Sequence, residues 1–94
     1  MEIKISPFNQ QKSAKLWIEK MLIAMPHRTM VKGNCELDII FNLKSDGNLD
    51  ILLEPVIYCI VKKGWIEDIK YVQSLNVQKV KTKKESIEIE IYKE

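Results

Sequence analysis

Residues 2–6 (EIKIS) alternate apolar and polar, which predicts a short strand with Ile3 and Ile5 facing inward. Pro7 ends it, because proline cannot donate to a strand ladder. From Gln11 the period lengthens. Ala14, Trp17, Ile18, Met21, Leu22 and Met25 follow the i, i+3, i+4, i+7 rule of an amphipathic helix, and Pro26 stops it. After a connection over residues 26–34, CELDIIFNL returns to period two. Cys35, Leu37, Ile39, Phe41 and Leu43 fall on one face, which predicts a strand buried on that side.

The next stretch, SDGNLDILLEP, admits two readings. Asp46-Gly47 is a hairpin signal, but a strand continuing through Pro55 would lose a ladder hydrogen bond. The helical reading is preferred. Asn48 can cap the start, and Leu49, Leu52, Leu53, Val56 and Ile60 line one side. Pro55 is expected to kink the helix or confine its first turn. Gly64, behind Lys62 and Lys63, is a natural stop, and Trp65 and Ile66 re-enter the core. So much of this helix is apolar that cover on more than one side is expected, by the sheet and the first helix or by a second subunit.

IKYVQSLNVQKVK and IEIEIY then read as two strands joined by the loop TKKES, a C-terminal hairpin with Ile87, Ile89 and Ile91 inside. The expected fold is a small layered α/β (α+β) domain. Its order is strand-helix-strand-helix-strand-strand, with two helices packed on a mixed or antiparallel sheet.

Composition narrows this further. Ninety-four residues make one small domain, residues 1–94, and 46% apolar with 30% charged residues is a globular balance. The net charge of +2 names no partner, but its distribution is uneven. Residues 35–68 hold seven acidic and three basic side chains, between ends that are mostly basic. A carboxylate site framed by positive surface has this pattern, and so does ordinary solvated charge. Cys35 and Cys59 sit in apolar contexts without metal-ligand spacing, so two buried thiols in a reducing compartment are expected. MEIKISPF lacks the apolar core of a signal peptide, and the run Leu49–Val61 is too short and too charged to span a bilayer. A soluble cytoplasmic protein is the expectation.

Asp46, Asp50, Glu54, Glu67 and Asp68 are the candidates for holding Mg²⁺, which binds oxygen ligands and can present a water to phosphorus. Acids capping helices explain the same residues. About 13 helical residues, roughly 20 Å, separate Asp50 from the Glu67-Asp68 pair. Lys79, Lys81, Lys83 and Lys84 suit phosphate contact at a hairpin tip, or simply solvate a turn. His27 has no partner that would make it a base. Gly33, Gly47 and Gly64 are isolated, so no phosphate-cradling loop exists.

DGNLDILLEPVIYCIV, then WIEDIKYVQSLNVQKVK and the closing IEIEIY, resembles the RusA family of Holliday junction resolvases over nearly the whole chain. The resemblance implies a small homodimer that binds four-way DNA junctions in recombination and repair and cuts them with Mg²⁺ or Mn²⁺. It implies catalytic roles for Asp50 and Asp68, with Glu67 beside them, and metal ligation by Asp50 and Asp68 with Glu54 or Asp46 assisting. Lys79, Lys81, Lys83 and Lys84, with Arg28 and Lys32, would hold the DNA backbone, and the helix Leu49–Val61 would form the dimer. The family motif is altered here. Asn48 stands for its first aspartate, Ile51 for its asparagine and Glu54 for its lysine. Asparagine offers a metal only a neutral oxygen, and a carboxylate in place of a cation repels phosphate. An alternative is therefore a catalytically inactive RusA-like module that binds DNA or protein.

Overall fold

The computed structural model describes residues 1–94. It contains β1 (Glu2–Ile3), α1 (Ala14–Ala24), β2 (Cys35–Leu43), α2 (Leu49–Lys62), a 3₁₀ turn (Ile69–Tyr71), β3 (Val72–Lys81) and β4 (Ser86–Lys93). The four strands form one mixed sheet in the order β1-β4-β2-β3. The expected α+β order and the two-helix layer are thus present.

β2 is central because it can bury one face completely. Cys35, Leu37, Ile39 and Phe41 are fully buried and Leu43 nearly so. Ile87 and Ile89 of β4 extend this surface. Trp17, Met21 and Met25 from the first helical segment and Leu52, Val56, Cys59 and Ile60 of α2 close over it. Burying a side chain of this size contributes roughly 1.5–3 kcal/mol, so this layer dominates stability.

The two last strands do not form a hairpin. β3 pairs parallel to β2, with Leu37 opposite Leu75 and Leu43 opposite Lys81. β4 pairs antiparallel to the other edge of β2, with Ile39 opposite Ile89. The loop Thr82–Glu85 instead steps over the end of β2, where the Thr82 amide donates to the Leu43 carbonyl at 2.8 Å. Crossing one strand spans about 10 Å, within reach of four residues. Burial decides the arrangement. β4 has a continuous isoleucine face and takes an inner place, whereas β3, with few large apolar residues, takes the edge.

Local chemistry sets the helix ends as the sequence implies. Asn48 Oδ1 accepts from the Asp50 amide at 2.9 Å and caps α2. Gly64, at φ +79°, lies in the left-handed region. The Gly64 amide donates to the Val61 carbonyl and the Trp65 amide to the Ile60 carbonyl, a Schellman closure that turns buried Trp65 onto buried Ile60. Pro55 lies beyond the first turn and is itself buried, and α2 continues through it to Lys62. β1 is shorter than the alternation suggests: only Glu2 and Ile3 pair, with Glu88 and Ile87. The following segment is pinned instead by the Trp17 indole, which donates to the Ser6 carbonyl at 2.7 Å, and by Phe8 packed edge-on against that ring.

No helix covers the opposite face of the sheet. Its two buried polar residues, Asn42 and Ser86, are satisfied by a chain of hydrogen bonds. Asn42 donates to Ser86 and Glu88, and Ser86 donates to Glu2. No helix is long and apolar enough to cross a membrane.

Candidate functional site

The parallel pair β2–β3 gives the molecule two chemically distinct ends. At the carboxyl end of both strands, Leu43 lies opposite Lys81. Two loops meet there. One links β2 to α2 and carries Asp46, Gly47 and Asn48; the other is the basic loop Thr82–Glu85. They are tied together by the Lys44 amide, which donates to Glu85, and the basic loop is itself braced by the Thr82 hydroxyl donating to the Lys84 carbonyl. Lys79 reaches sideways to donate to the Gly47 carbonyl at 3.0 Å. An open hollow beside it is lined by Asp46, Asn48, Leu49, Asp50 and Lys79. A smaller hollow of 240 Å³ lies between Asp46 and the stretch Lys79–Lys81.

The other end holds Glu67 and Asp68. Glu67 accepts from the Gly33 amide at 2.8 Å. Asp68 caps the 3₁₀ turn, accepting from the Lys70 amide at 3.0 Å. Both carboxylates therefore have local structural partners. Arg28 and Lys32 belong to this end. The Arg28 guanidinium lies 5.6 Å from the centre of the Trp65 ring, a cation–π contact. Lys32 sits between Val31, which bridges Ile66, and Gly33, which holds Glu67.

The residues expected at one site are thus divided. Asp46 and Asp50 share the rim of one hollow, and Asp50 and Glu54 share the groove between α1 and α2 with Phe8, Ile18 and Tyr58. Glu67 and Asp68 lie beyond the far end of α2, whose 14 residues span about 21 Å. No three acidic, histidine or cysteine side chains converge in a way that could hold a metal ion. The donor set of one chain does not fit a Mg²⁺ centre built from Asp50 and Asp68. The DNA-binding candidates are divided likewise, with Lys79, Lys81, Lys83 and Lys84 at one end and Arg28 and Lys32 at the other.

Reading β3 and β4 as a hairpin hid two features. It made the lysines a free tip, whereas the loop folds over β2 and lies beside Asp46. It also left out Lys44, which follows the last residue of β2 and joins the same basic end. Strand register carries that information, and register depends on which strands pair. The two thiols are held in the protonated form. Cys35 and Cys59 are both buried, and burial pushes both upward, Cys59 to about 11.

No protein-family model matches this chain, and no curated protein matches it.

Proposed function

We propose that this protein binds the phosphate backbone of DNA, with branched DNA as the preferred substrate, through the basic end formed by Lys44, Lys79, Lys81, Lys83 and Lys84, and that a single chain binds without cutting. The observation that carries this reading is the gathering of these lysines around the carboxyl ends of β2 and β3, while the acidic candidates divide between the two ends. Lysine ammonium groups neutralise phosphates without needing a shaped pocket, so a loop and a strand end suffice. The RusA resemblance supports a junction as the form of DNA.

The test is binding of a labelled four-way junction and a matched duplex across a salt series, without metal and then with Mg²⁺ or Mn²⁺. Affinity is expected to fall steeply with salt, with a slope of about 0.9 per phosphate neutralised. Replacing Lys81, Lys83 and Lys84 together by alanine is expected to lower that slope and weaken binding to every sequence. Unchanged binding in that variant overturns the reading.

A second reading, a Mg²⁺-dependent structure-selective endonuclease, is favoured by the proximity of Asp46 and Asp50 to Lys79 around one hollow. Its metal site would be completed by the second chain of a dimer, and it predicts junction cutting that both Asp50→Asn and Asp68→Asn abolish. Binding without cutting, insensitive to Asp50→Asn, supports the inactive module instead.

A further inference from the structure

We propose that the outer edge of β3 is a homodimer interface, on which β3 of a second copy pairs antiparallel about a two-fold axis at Asn76, extending the sheet across both chains. β3 ends the sheet, so its outer backbone groups have no strand partner. It is ten residues long, and the stretch Val72–Gln78 contains no charge, proline or glycine. Unpaired edges are normally blunted by those devices, by shortness or by a covering element. β1, at the other edge, has only two residues. Leu75 and Val80 of β3 are each 41% exposed.

The strand matches itself in one register. Pairing Asn76 with Asn76 puts Leu75 opposite Val77, Val72 opposite Val80, Ser74 opposite Gln78 and Gln73 opposite Lys79. Leu75 and Val77 then form an apolar group of four across the axis on the helix side, and no charge faces a like charge. Moving the axis to Leu75 sets Val77 against Gln73 and Val72 against Gln78. Moving it to Val77 sets Leu75 against Lys79. In the same register the two strand lysines meet no cation within the strand: Lys79 faces Gln73 and Lys81 faces Tyr71, next to the exposed Lys70. A dimer through α2 is less well founded, because Leu52, Val56, Cys59 and Ile60 are already buried within the chain and the exposed positions of α2 include Asp50, Glu54 and Lys62.

The proposal stands apart from DNA binding and is tested without DNA. Sedimentation of the full chain is expected to show a species of twice the monomer mass. Asn76→Cys is expected to form an intermolecular disulfide on mild oxidation, since directly opposed strand residues lie within disulfide range and Cys35 and Cys59 are buried. The pair S74K/Q78K sets lysine against lysine and is expected to dissociate the dimer, whereas S74K/Q78E sets lysine against glutamate and is expected to keep it. Both positions are exposed, so folding, checked by circular dichroism, is expected to hold in both variants. A monomer at millimolar loading overturns the proposal. So does a dimer that persists in S74K/Q78K, which would point to α2.

Discussion

Cys59 shows what burial does to a single group. Its side chain is fully buried, and its sulfur has only a long contact, 3.9 Å, to the Ile18 carbonyl. With no cation or strong donor nearby, desolvation disfavours the thiolate, and the pKa rises from the ordinary 9.0 to about 11. The folded state therefore holds its proton more tightly than the unfolded state does. The stability this contributes is fully present below pH 9 and is lost as pH rises from 9 to 11. Two pKa units correspond to a loss on the order of 2–3 kcal/mol. Denaturant titrations of the wild type and Cys59→Ala across pH 8–11 are expected to show this component only in the wild type; parallel curves would contradict it. The apolar setting of Cys59 was legible in the sequence. The local partners of Glu67 and Asp68 were not, because a sequence gives residue types and spacing but not which amide a carboxylate will meet.

At the scale of elements, Gly64 is the most informative position. Its φ of +79° is what lets α2 end in a Schellman closure and return Trp65 to the core. A Cβ there would meet nothing closer than the Met30 methyl at 3.7 Å, an ordinary contact. Gly64→Ala thus isolates the backbone term, expected to lower stability by about 1–2 kcal/mol. Asn tolerates the left-handed region better, so Gly64→Asn is expected to lose less, and thermal melts of the two variants check the order. Helices were the legible elements, since period, cap and stop all lie within a dozen residues. Strand pairing was not. A four-residue loop between two strands favours a hairpin locally, but here the choice was made by β2, forty residues earlier in the chain. Its apolar face draws β4 against one edge and leaves β3 for the other.

Over the whole molecule, packing is uneven across the sheet, and that unevenness links stability to association. β2 is paired on both sides, with its inner face buried from Cys35 to Leu43, and α2 sits on it through Val56, Cys59 and Ile60. Opening either element exposes most of the core, so their amides are expected to exchange only when the whole domain unfolds. β3 is held on one side only, and most of its side chains are exposed. In dilute solution its outward-facing amides are expected to exchange quickly, even though the strand is regular. Pairing with a second copy would protect those same amides, and protection would rise with protein concentration in step with the dimer fraction. The slowly exchanging amides of Leu37, Ile39 and Phe41 would change far less. Hydrogen exchange measured residue by residue at two concentrations therefore separates an edge that pairs from one that is merely ordered. Concentration-dependent protection at alternate residues between Val72 and Val80 supports pairing through β3. Protection that instead grows along α2 would shift the interface to the helix.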